Sequence, residues 1–124
     1  MNKRIIVLLS VLFCVFFLFG FCFFNQARLP IRIIEKQILR DVKLGSDIET
    51  VKKYISKKNW ELRWINTENG YVQKKSPHIT VGSKYIRAFI GEYGIITTSV
   101  SVFFGFNENS ELIAVEVFKE IDGL

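Results

Sequence analysis

Ile95 to Phe106, IITTSVSVFFGF, followed beyond Asn107-Glu108-Asn109-Ser110 by Leu112 to Lys119, LIAVEVFK, is the stretch that decides the fold. In the first run Ile96, Thr98, Val100, Val102, Phe104 and Phe106 fall on one side, and Thr97, Ser99 and Ser101 on the other. That is the period of two of a strand with one buried face. In the second run Ile113, Val115 and Val117 alternate with Ala114, Glu116 and Phe118. The polar residues between them suit a short turn, so the pair predicts an antiparallel hairpin with a central strand.

Upstream, Lys84 to Ile90 (KYIRAFI) predicts a further strand, and the glycines of Gly91-Glu92-Tyr93-Gly94 predict the turn after it. Trp60, Leu62 and Trp64 alternate with Glu61 and Arg63, which predicts a strand burying both tryptophans. Asn69-Gly70 supplies a turn, and Tyr71 to Lys75 returns until Ser76-Pro77-His78 interrupts it.

Before the strands the period is helical. Pro30 suits a first turn, and Ile31, Ile34, Ile38 and Val42 recur at spacings of three and four. Arg28, Arg32, Lys36, Arg40 and Lys43 fall roughly opposite, as a basic stripe. A solvated helix face explains that stripe; contact with anionic lipid headgroups is its functional alternative. Gly45 ends this helix, and Ser46-Asp47-Ile48-Glu49 reads as a capping box opening a second one. Ile48, Val51 and Ile55 mark its inner face, Lys52, Lys53, Lys57 and Lys58 face outward, and Asn59 stops it. The four lysines are a solubilising surface or a docking patch for phosphate or an acidic partner. The order of elements predicts an α+β domain, two helices layered on a three- to four-stranded antiparallel sheet.

At the N-terminus, Ile5 to Phe24 (IIVLLSVLFCVFFLFGFCFF) is free of charge after Lys3 and Arg4. Twenty helical residues rise about 30 Å, the thickness of a bilayer's hydrocarbon core. The expectation is a transmembrane helix serving as an uncleaved signal-anchor, with residues 1–27 as the membrane anchor and 28–124 as the single small domain. Asn25-Gln26-Ala27 is a poor cleavage site, and Phe13 and Phe21 before the cysteines do not suit a lipoprotein signal. The flanking charges disagree about orientation; the export-signal-like start places the domain on the extracytoplasmic side of a single-pass membrane protein. Membrane lipid, through this helix, is then one expected partner.

Both cysteines, Cys14 and Cys22, lie in the apolar segment, which leaves no disulfide framework for the domain. Charge is unevenly spread: Asn25 to Lys75 holds 12 basic and 6 acidic side chains, Ser76 to Leu124 only 3 and 6. Such asymmetry favours an oriented approach to a charged partner.

Chemistry-bearing motifs are missing from the sequence. His78 is the only histidine, beside Pro77 in a loop, and no G-x-S-x-G elbow, phosphate loop, dinucleotide fingerprint, H-E-x-x-H or calcium loop occurs. No catalytic, metal or cofactor-binding residue is therefore assigned, and no cofactor is expected. Trp60, Arg63, Trp64, Lys74, Lys75, Tyr85, Arg87 and Phe89 mix aromatic and basic character on or near the sheet. A core that needs its aromatics accounts for them more simply than nucleic acid, and no nucleic-acid partner is expected.

Leu44-Gly45-Ser46 with Val51, followed by Val102 to Phe118 (VFFGFNENSELIAVEVF), resembles the small envelope modules of the SmpA/OmlA-type (BamE-like) outer-membrane assembly lipoproteins. The β-lactamase inhibitor protein repeat is similar in plan. The resemblance spans residues 31 to 120 in order of elements and about a dozen residues in motif, and the lipid-modified cysteine of the lipoproteins has no counterpart. It implies two helices on a short antiparallel sheet and action by binding proteins. The expected function is a non-catalytic protein-binding module of the cell envelope, a scaffold or assembly accessory. An inhibitor or immunity protein against an enzyme outside the cytoplasm is the alternative, and an enzyme of unrecognised type a further one.

Overall fold

The computed structural model describes residues 2–23 and 25–122, and residues 18–23 by backbone alone. Helix α1 (Lys3–Phe23) is followed by a short 3-10 turn (Gln26–Arg28), α2 (Ile31–Asp41) and α3 (Ile48–Lys57). Six strands follow: β1 (Glu61–Asn66), β2 (Tyr71–Val72), β3 (Thr80–Val81), β4 (Lys84–Tyr93), β5 (Thr98–Phe106) and β6 (Leu112–Ile121). The main sheet is antiparallel in the order β1-β4-β5-β6, and β2-β3 forms a separate ribbon. The domain is α+β, with α2 and α3 covering one sheet face.

β5 is central because both its edges are paired and both its faces covered. Val100, Val102, Phe104 and Phe106 lie fully buried against Ile34 and Ile38 of α2 and Val51 and Ile55 of α3. Phe103 packs on the opposite face with Tyr71 and Phe118, so the strand is buried on two sides rather than one. Ile96 departs from its predicted face: it lies in the β4–β5 turn, 71% exposed beside the fully exposed Ile95. β4 continues through the predicted turn to Tyr93, shifting register at Phe89/Gly91. Ala27, N-terminal to the expected domain boundary, is fully buried in the main core, and the Asn25 amide donates to the Glu92 carbonyl at 2.8 Å.

α2 ends at Asp41 with Val42 as its C-cap, short of the predicted stop at Gly45, and the buried Val42 side chain completes the apolar face. The cap of α3 falls one residue later than predicted. Ser46 is held extended by pairing with β6, where Gly45 donates to the Leu112 carbonyl and Leu112 donates to the Ser46 carbonyl, both at 2.8 Å. Asp47 therefore becomes the N-cap, accepting from the Thr50 amide at 2.8 Å and the Thr50 hydroxyl at 2.6 Å. Asn59, at φ 59°, ends α3, with Trp60 donating to the Ile55 carbonyl and Asn59 to the Ser56 carbonyl.

The expected membrane anchor is corrected. Among the described residues no helix is long and apolar enough to cross a membrane. Of the expected span, residues 18–24 lie outside the described side chains. Neither a transmembrane segment, nor a single-pass location, nor lipid as a partner through this helix is supported. The described side chains of α1, among them Phe13 and Phe16 at 72% exposure, are exposed.

Candidate functional site

The sheet face opposite the helices, hereafter the outer face, is built from cross-strand rows. Pairing aligns Trp64, Arg87, Phe103 and Glu116 in one row across β1, β4, β5 and β6. Glu61, Phe89, Ser101 and Phe118 form a second, and Asn66, Tyr85, Gly105 and Ala114 a third. Directly opposed side chains in such rows stand about 5 Å apart and touch.

Trp64 reaches this face through an irregularity in β1. The register shifts between Leu62, opposite Ala88, and Trp64, opposite Arg87. The extra residue, Arg63, reverses the alternation, so the predicted common burial of Trp60, Leu62 and Trp64 is corrected. Trp60 is in the core at 9% exposure, whereas Trp64 is 57% exposed on the outer face. Arg63 emerges beside it with its guanidinium carbon 4.2 Å from the Phe89 ring centroid and a nitrogen 3.5 Å from Glu61.

The β2-β3 ribbon lies over the other half of the face. Tyr71 stacks on Phe103 at 4.9 Å between centroids and meets Tyr85 edge-on at 6.5 Å. It can approach because position 105 is glycine: a Cβ there would stand 2.7 Å from the Tyr71 ring. Lys74 closes the ribbon's end. Its amide donates to Glu116 at 2.7 Å, its ammonium pairs with Glu120 at 3.1 Å, and it lies 5.0 Å from the Phe118 centroid. Two adjoining hollows of about 460 and 550 Å³ meet at Tyr85 and Phe103; Arg63, Trp64 and Arg87 line the first, and Asn69, Tyr71 and Lys74 help to line the second.

Arg87 is the central cation of this face. Its guanidinium carbon stands 5.2 Å from the Phe118 centroid and 5.9 Å from that of Phe103. Among the described residues it has no ion pair, and its buried Nε has no hydrogen-bond acceptor. A buried donor without a partner is uncommon and costly, and it calls for a specific cause. Nearby, Glu35 of α2 has a buried, unpartnered Oε1. Burial pushes its carboxyl above the ordinary glutamate value, Lys75 opposes that and Glu116 adds to it. Burial, then the charges of Glu116 and Glu35, push the Tyr71 hydroxyl up to about 12.

The basic residues selected from the sequence lie on and around α2 and α3. Arg32, Lys36 and Arg40 are exposed on α2, but Arg28 sits in the 3-10 turn, 5.5 Å from the Tyr93 ring centroid, and Lys43 lies beyond the helix end. Arg40 pairs with Asp41 at 3.2 Å. On α3, Lys53 and Lys57 are exposed, Lys52 pairs with Glu49 at 3.2 Å, and Lys58 stands 4.0 Å from Asp41 and 5.8 Å from the Tyr54 ring centroid. The Tyr54 hydroxyl donates to Asp41 at 3.1 Å. Burial, then that hydrogen bond, raises the Tyr54 pKa.

His78 is exposed in the β2–β3 connection, Ser99 donates to Asp122 at 2.9 Å, and Ser101 is buried. Among the described residues no group of three or more His, Cys, Asp or Glu is placed to hold a metal ion. The outer face gathers Arg63, Trp64, Lys74, Tyr85, Arg87 and Phe89, which the sequence had grouped by composition with Trp60 and Lys75 and whose aromatics it had read as core; of these aromatics Trp60 is in the core. It adds Phe103, Phe118 and Glu116, whose place there depends on β5 being buried on both faces. In comparison with known proteins, no family model, no curated protein and no solved structure matches this chain.

Proposed function

We propose that the domain is a non-catalytic protein-binding module that docks an acidic surface of a partner protein on the outer face of its sheet. The observation that carries this reading is the exposed Trp64 beside Arg87, a cation without an ion pair among the described residues. Tryptophan, tyrosine and arginine are the residue types that carry most binding energy at protein interfaces, and Trp64, Tyr85, Arg63 and Arg87 are adjacent here. Addition of a partner strand at the free edge of β1 is disfavoured, because the irregularity at Arg63 breaks the ladder a new strand would extend.

The test is affinity capture with the full-length chain, kept dispersed by a mild non-ionic detergent, in three forms: wild type, Trp64→Ala, and Lys52, Lys53, Lys57 and Lys58 all changed to Gln. The expected result is a partner retained by wild type and by the lysine variant and lost, by at least tenfold in affinity, with Trp64→Ala. Equal capture by Trp64→Ala, or loss with the lysine variant alone, sinks the outer-face reading.

A further inference from the structure

Among the other features of the molecule, the exposed pair Ile95 and Ile96 at the β4–β5 tip has nothing beside it that specifies an occupant. The Glu35 and Glu116 pair brings only two carboxylates to the junction of α2 and β6. Arg87 differs, because its surroundings specify both the charge and the shape of what it lacks.

We infer that Arg87 is a carboxylate anchor, taking an aspartate or glutamate side chain of a partner segment laid along the outer-face groove; this deepens the proposed function and rests on it. The phenylalanines supply aromatic faces near the guanidinium, and among the described residues its buried Nε has no acceptor and the side chain has no ion pair. What is missing is an acceptor, and a planar, two-oxygen anion matches the arginine fork. Arg63, paired with Glu61 at 3.5 Å and lying over the Phe89 ring, stands at the same end. Neighbouring Trp64 and Tyr85 offer apolar surface to the residues flanking the carboxylate. Toward the ribbon, Asn69 and Gln73 bring side-chain amides suited to a peptide backbone. A nucleic-acid strand fits less well: phosphate tracks require a succession of cations, and of the three that line this groove Arg63 and Lys74 are paired with Glu61 and Glu120.

The inference is tested by selecting random-sequence peptides displayed on phage against the full-length chain in detergent, and repeating the selection on Arg87→Gln and Trp64→Ala. Recovered peptides should be enriched about threefold or more in Asp and Glu next to an apolar residue. Their enrichment should vanish on Arg87→Gln, and their affinity, read from the change in tryptophan fluorescence on binding, should fall about tenfold. Circular dichroism tests whether Arg87→Gln is folded; if it is not, Arg63→Gln serves, with a several-fold loss expected. Peptides without acidic enrichment that still need Trp64 overturn the carboxylate anchor and leave the docking face standing. Recovery of no peptide that depends on Trp64 overturns both. Oligothymidine binding more tightly than the acidic peptides also overturns the anchor, in favour of nucleic acid.

Discussion

At the residue scale, the outer face depends on individual groups whose surroundings shift their protonation or leave them unpaired. Glu35 is the clearest case for titration. Its folded pKa is raised by burial, so its contribution to stability is fully present below the unfolded value of about 4.3 and is lost as pH rises through the folded one. Replacing it by glutamine should remove that loss. We expect Glu35→Gln to raise the melting midpoint by a few degrees at pH 7 and to leave it nearly unchanged at pH 4, measured by thermal denaturation across that range. An equal shift at both pH values would show that packing, rather than ionisation, governs the site. The cap of α3 was legible to within one residue: Ser46 and Asp47 are both good caps by type, and the choice between them was made by the pairing of residues 45 and 46 with Leu112.

At the element scale, β5 holds the domain together from both sides. Phe104 is fully buried between β5 and the helices, and Phe104→Ala should cost about 3–5 kcal/mol through lost burial and the cavity left behind. For a domain stable by about 5–15 kcal/mol this is a large fraction, readable as a lowered urea midpoint with an unchanged slope. Gly105→Ala acts differently. The added methyl meets the Tyr71 ring, which the Phe103 stack holds in place, so the ribbon must lift. Hydrogen exchange should then show Tyr71 and Val81, whose amides pair across the ribbon, losing protection while Val102 and Phe118 keep theirs. Loss across the whole sheet would mean that the ribbon and sheet unfold as one unit. The strands of the hairpin were legible because their period is regular; β1 was misread in part because one inserted residue reverses every later side chain, and no local signal marks it.

At the scale of the whole molecule, the domain presents two chemically distinct sides, a lysine-bearing helical side and an aromatic and arginine-bearing outer face. The described side chains of α1 are exposed, whereas Asn25 and Ala27 are tied to β4 and the core. A chain shortened to begin at Asn25 should therefore melt within about 2 °C of the full-length chain. Starting at Ile31 removes the buried Ala27 and the Asn25 bond to Glu92, and should lower the midpoint by several degrees in the same calorimetric measurement. A drop on the first truncation would reveal that α1 contributes to the fold.

Local order alone determined the two amphipathic helices, the β5–β6 hairpin and the α+β class, because periodicity and turn chemistry act over a few neighbouring residues. The gathering of Trp64, Arg87, Phe103 and Phe118 was decided only by tertiary structure. Those residues are brought together by strand register, by a single extra residue in β1 and by a ribbon seated on Gly105. The charge of Arg87 could be read from the chain; its lack of an acceptor could not, since that depends on which side chains the folded sheet places around it.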